Sequence, residues 1–190
     1  MSRQLFLVSA LVFLLSISTA LVADSPNVAF VKKTCNDATN VNLCLNTLLP
    51  EAGRINSHPK KATNLAIMAT ITEVQTASSK LTHQAKQPNL KSHEASSLNE
   101  CSTIIANSVL GLNQALEESN RLNGDKQDKE SKRMSMINDV RNVVNAVYHC
   151  TSYVQSSHSR DVLIKRAHDI VTPLDHLATN AVDLIHHMVF

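Results

Sequence analysis

The stretch LIKRAHDIVTPLDHLATNAVDLIHHM, residues 163–188, decides the fold. Its apolar residues fall at Leu163, Ala167, Ile170, Leu174, Leu177, Ala181, Leu184 and Met188, steps of three and four that keep one helix face apolar throughout. Three stretches upstream repeat the pattern. They are Ile67, Ile71, Val74, Ser78 and Leu81; Leu98, Cys101, Ile105, Val109, Leu112 and Leu116; and Ile137, Val140, Val144, Val147, Thr151 and Val154. Four amphipathic helices of this kind, packed side by side at shallow angles, predict an all-α, four-helix up-and-down bundle. Breaks are expected at Pro88 and at Asn123-Gly124-Asp125. Thr172-Pro173-Leu174-Asp175 reads as a cap, a first-turn proline and a capping acid. An interior proline costs about 3 kcal/mol, so the last helix is expected to kink or split there.

Composition points the same way. The 190 residues are 43% hydrophobic, enough for a core, yet hold only three Gly and 3% aromatic residues. Sandwiches and barrels need more of both. A net charge of +2 excludes a strongly basic nucleic-acid binder. Upstream of the four stretches, Ser25-Pro26 is a helix start, followed by short apolar segments ending at Cys35 and running from Val41 to Leu49. A bridge between Cys35 and Cys44 would staple these into a helical hairpin, and 50–59, with two prolines and Gly53, reads as a linker. At the N-terminus, Arg3, the apolar run Leu5 to Ile17 and the small residues up to Ala23 have the layout of a secretory signal peptide spanning 1–23. The mature chain, 24–190, then carries a net charge of +1 and should be soluble.

All four cysteines, Cys35, Cys44, Cys101 and Cys150, survive that cleavage. In an oxidising compartment they read as two disulfides, although four thiols allow three pairings. Zinc would favour a C-x-x-C pair, and none exists. G-x-S-x-G, H-E-x-x-H, a P-loop and a Gly-rich dinucleotide turn are all missing. The nine histidines place no two on one helix face four apart, so they read as surface residues. No catalytic residue, metal or cofactor is expected.

FVKKTCNDATNVNLCLNTLL (30–49) resembles the N-terminal hairpin of the plant invertase and pectin methylesterase inhibitor family. LNECSTIIANSVLGLNQAL (98–116) is similar to that family's Leu-x-x-Cys helix, with Ile105 in place of its aromatic and Ser108 in place of its Ala. Cys150 stands where the family's fourth cysteine closes the next helix, and LATNAVDLIHH (177–187) resembles its last helix. The resemblance implies an inhibitor domain over 24–190, with Cys35 paired to Cys44 and Cys101 to Cys150. The second bridge closes a loop of about 50 residues, for which loop entropy gives on the order of 4 kcal/mol. One departure stands before Cys150. The family's Trp and Ser-Ala-Ala-Leu-Thr run is replaced by Asp139 to Asn145, which keeps the apolar phase and alters the surface.

The resemblance implies a secreted inhibitor of a cell-wall enzyme, acting by steric one-to-one docking over a substrate cleft. Pectin methylesterase is the first choice, because the Pro-Lys-Phe tripeptide of some invertase inhibitors is absent. Acid invertase, of wall or vacuole, is the alternative, and a non-inhibitory binding module on the same scaffold is the second. The apoplast is the expected location, with the vacuole as the other address. At about 100° per residue, the face opposite the second long stripe holds Ser96, Glu100, Thr103, Asn107, Leu110 and Gln114. Opposite the third lie Ser135, Asp139, Asn142, Ala146, His149 and Tyr153. Solvated faces are rich in Lys and Glu; these are nearly uncharged and carry a Leu and a Tyr, the composition of an interface. Thr103, Asn107, Leu110, Gln114, Asn142, Ala146, His149 and Tyr153 are therefore the candidate docking residues. The competing readings are a merely polar face, or a second buried side. Histidines titrate in the range of an acidic wall, so docking through His149 is expected to depend on pH.

Overall fold

The computed structural model describes residues 25–188; the expected signal segment, 1–23, lies outside them. Every regular element among the described residues is helical. Helix α1 is Pro26–Cys35, α2 Val41–Leu48, and a 3₁₀ turn Leu49–Glu51 leads into the short α3, Ala52–Ile55. The long elements are α4 Pro59–Ala85, α5 Ser92–Asn107, α6 Val109–Asn120, α7 Lys126–Ser156 and α8 Asp161–His186. Helices α5 and α6 follow one another along one edge, so α4, α5–α6, α7 and α8 make the four corners of the bundle. Each packs on the next, and α8 closes back on α4.

Local chemistry sets the ends. Ser25 accepts from the Val28 N–H at 3.3 Å, with Pro26 at the first helical position. Asp125 does the same for α7, accepting from Asp128 N–H at 2.9 Å. The stripes read from sequence meet in one core, where Ile67, Leu81, Leu98, Ile105, Leu112, Ile137, Val140, Leu174 and Ile185 are fully buried.

Three local expectations change. The 50–59 segment is mostly helical rather than a free linker, because Ala52 and Ile55 are buried and give it a face to pack. The second long helix is broken at Ser108, whose hydroxyl donates to the Ile105 carbonyl at 2.7 Å and turns the chain before α6. The split expected at Pro173 does not occur: α8 continues through it. Pro173 lies on the exposed side, where water can serve the carbonyl that the missing N–H leaves.

Cys35 pairs with Cys44 (Cα–Cα 5.6 Å) and Cys101 with Cys150 (4.4 Å). The first closes the α1–α2 hairpin; the second ties α5 to α7. The hairpin is also clamped to α8. The Asn180 side chain accepts from Asn40 N–H at 2.8 Å and donates to Asn40 C=O at 3.0 Å, while Asp183 accepts from Thr39 N–H at 2.7 Å. Asn180 sits in the apolar stripe and is only 3% exposed, so both halves of its amide need these partners.

Candidate functional site

The Cys101–Cys150 bridge brings together two stretches with unusual composition. From Cys101 to Leu116 there is no charged residue, and from Val140 to Ser159 the one Lys, Arg, Asp or Glu is Arg141. The first half of α7, in contrast, is dense in both signs. Antiparallel packing of α5–α6 on α7 lays the two uncharged stretches side by side. The surface they share exposes large apolar and aromatic groups: Leu110 is 68% exposed, Tyr148 68% and Tyr153 44%.

At the disulfide end, Ile104, His149, Ser152, Tyr153 and Ser156 line a shallow α5–α7 groove of about 510 Å³. The Tyr148 and His149 rings meet edge to face, with centroids 5.7 Å apart. Helical-wheel reasoning missed Ile104. It is half-buried, packed against the core, and its outer part forms the groove wall. An isoleucine off the apolar stripe and facing α7 was the available signal.

Most of the candidate docking residues are on the surface. Asn107, Leu110, Gln114, Asn142, His149 and Tyr153 are exposed. Thr103 is exposed but lines a different groove, between α4 and α5, with Ser78, Ser79, Thr82, His83, Lys86, Ser102 and Ala106. Ala146 is a correction, since it is only 8% exposed. A bundle helix touches two neighbours, so its buried arc is wider than its apolar stripe, and a small side chain at the edge of that arc is covered. The same closeness appears one end along. A Cβ added to Gly111 would lie 3.0 Å from the Asp139 carbonyl, so glycine is what lets α6 approach α7 here. Asp139 itself is half-buried, and its carboxyl titrates above the usual range, first because burial strips its water and then because Glu118 is a like charge nearby.

One fully buried carboxylate holds the far end of this surface. Glu94 accepts from Arg160 Nε at 2.8 Å, from an Arg160 terminal nitrogen at 3.0 Å and from Lys91 N–H at 2.9 Å. These bonds, Arg160's first, outweigh burial and hold the Glu94 carboxyl at about 2, against an ordinary 4.5. The pair fastens the α7–α8 loop to the start of α5. His158 lies in that loop with positive φ.

Among the described residues no group of three or more His, Cys, Asp or Glu is placed to hold a metal. No described helix is long and apolar enough to cross a membrane.

The described residues thus form a disulfide-stapled helical bundle with an uncharged, partly apolar face along α5–α6 and α7. The model of the family described as plant invertase/pectin methylesterase inhibitor matches residues 29–184, and the chain belongs to that family. Its members are inhibitors rather than catalysts. Pectinesterase inhibitor 10 from Arabidopsis thaliana is 26% identical over 125 residues, covering 65% of this chain and 39% of that protein. The chain therefore matches well under half the length of that curated relative. No solved structure gives a significant match.

Proposed function

We propose that the protein is a secreted inhibitor of pectin methylesterase that docks the α5–α6–α7 face, one to one, over the enzyme's substrate cleft. Family members are generally secreted to the apoplast, which supports a cell-wall enzyme as the target. The observation that carries the docking reading is the pairing of the two uncharged stretches across the Cys101–Cys150 bridge. Charge depletion at the centre of a face with exposed aromatics is what interfaces select. Asn107, Leu110, Gln114, Asn142, His149 and Tyr153 supply that face. Covering a cleft with a rigid bundle needs no covalent chemistry. The relative named a pectinesterase inhibitor, together with the missing Pro-Lys-Phe tripeptide, favours methylesterase over acid invertase.

The test is residual activity of plant pectin methylesterases and acid invertases with oxidised protein, residues 24–190, from pH 5 to 7. Saturable loss of methylesterase activity is expected. Tyr153→Ala and Asn107→Arg should each weaken inhibition by about tenfold or more, the loss typical of an interface anchor, with the thermal midpoint unchanged. Full inhibition by both variants would refute this placement of the interface. Loss of invertase activity alone would refute the choice of enzyme, and no inhibition by folded protein would leave the non-inhibitory module.

A further inference from the structure

The α4–α5 groove that takes Thr103 away from the docking face has a chemistry of its own. It encloses about 600 Å³ and is lined by five hydroxyl side chains, Ser78, Ser79, Thr82, Ser102 and Thr103, with His83 and Lys86 at one end. The hydroxyl hydrogens are largely committed inward. Ser102 donates to the Ser78 carbonyl at 2.8 Å, so in its 2.8 Å contact with Thr82 the donor is Thr82. Ser78 donates to Gln75 C=O at 3.1 Å and Thr103 to Asn99 C=O at 3.0 Å. The groove thus offers a row of acceptor lone pairs and suits a ligand rich in O–H donors.

A second, independent feature lies at its end. Between Glu73 and Glu94 the chain has no acid, while His83 and Lys86 line the groove's end and Lys91 and His93 are exposed where the chain enters α5. Glu94 cannot neutralise them, being buried and taken by Arg160. A chain with a net charge of only +2 therefore concentrates cations at one end of one groove. No Phe, Tyr or Trp lines the groove, and His83 is its one ring, so it offers no row of stacking platforms for nucleic-acid bases.

We propose that this groove binds an acidic polysaccharide, a chain of sugars carrying both hydroxyls and carboxylates. Sugar hydroxyls donate to the Ser and Thr oxygens, and a carboxylate sits against Lys86 and the neighbouring cations. The site does not depend on the inhibitory reading. If both hold, the ligand is the kind of polyuronate that de-esterification of pectin leaves. The groove opens on the α4 side of α5 and the α5–α7 face on the other, so polymer and enzyme can be held together.

The experiment is titration of the oxidised protein with a de-esterified oligogalacturonide at low salt, followed by calorimetry and by amide chemical shifts. Saturable binding is expected, with the largest shifts around Ser79, His83, Lys86 and Thr103. The fully methyl-esterified oligomer should bind at least tenfold more weakly, and affinity should fall steeply as salt is raised. Lys86→Glu with Lys91→Glu should cost at least tenfold in affinity while leaving the thermal midpoint and methylesterase inhibition unchanged. Thr103→Val should weaken the oligogalacturonide and leave polyglutamate unaffected. Absence of binding, shifts centred on α7, or polyglutamate binding as tightly as the sugar acid would each overturn the proposal.

Discussion

Asn180→Ala should release the N-terminal hairpin from the bundle without unfolding the bundle. The side chain makes two hydrogen bonds to the Asn40 backbone, at 2.8 and 3.0 Å, from a position only 3% exposed. A net hydrogen bond contributes about 1 kcal/mol, and a buried group left unsatisfied costs about 1–3 kcal/mol. Asn40 is half-buried, so water recovers part of the loss. The expected cost is thus at the lower end, about 2 kcal/mol for the two bonds. For a chain of this size about 2–4 °C accompanies each kcal/mol, so the midpoint should fall by about 4–8 °C. Urea unfolding of oxidised protein measures the global loss, and amide exchange locates it. Residues 38–48 should lose protection while the Ile137 and Leu174 regions keep theirs. Asn145→Ala, on an exposed α7 position, is the control and should stay within about 0.5 kcal/mol of the parent. An Asn180→Ala cost no larger than the control's would refute the clamp. Apolar packing by Val31, Ala38 and Leu48 and the Asp183–Thr39 bond would then be enough to hold the hairpin.

Removing the bridges as Cys-to-Ala pairs should rank them by loop length. Their separations are 49 and 9 residues, and loop entropy gives about 4 kcal/mol for Cys101–Cys150 against about 2.7 for Cys35–Cys44. All four sulfurs are buried, so the void left is similar and the difference of about 1.4 kcal/mol is the diagnostic quantity in urea titrations. The Glu94 carboxyl titrates at about 2 in the folded chain against 4.5 ordinarily. Its stabilising effect is therefore complete above about pH 4.5 and is lost as pH falls through about 2, so Glu94→Gln should flatten that acid limb of the thermal midpoint. An unchanged acid limb would remove Glu94 as its cause. Gly111→Val should destabilise by about 1–3 kcal/mol through overpacking against the Asp139 backbone. Gly53→Ala, with open space around the new methyl, should be neutral or stabilise by about 0.5 kcal/mol. Thermal scans of the two variants separate the effects.

The sequence by itself determined the fold class and much of the core, although Val143, Val171, Ala178 and Ile185 are buried where the stripes named their neighbours Val144, Ile170, Leu177 and Leu184. Steps of three and four along 163–188 are a local geometric property, and helices that share them have few ways to bury their stripes. Turn chemistry at Pro88 and at Asn123-Gly124-Asp125 was equally legible, because it depends on neighbours in the chain. The continuity of α8 through Pro173 was not, since it depends on which side of the helix meets solvent. A helical wheel likewise gives a direction but no neighbour. It put Ala146 and Thr103 on the same outer face as Tyr153. Tertiary packing buried Ala146 and turned Thr103 toward α4. Asn180 interrupts an apolar stripe in plain view, yet its partner is Asn40, 140 positions away. The Glu94–Arg160 pair and the cationic end of the α4–α5 groove were also decided only in three dimensions. Each is assembled from residues on different helices, and long-range pairing leaves no periodic trace in a chain.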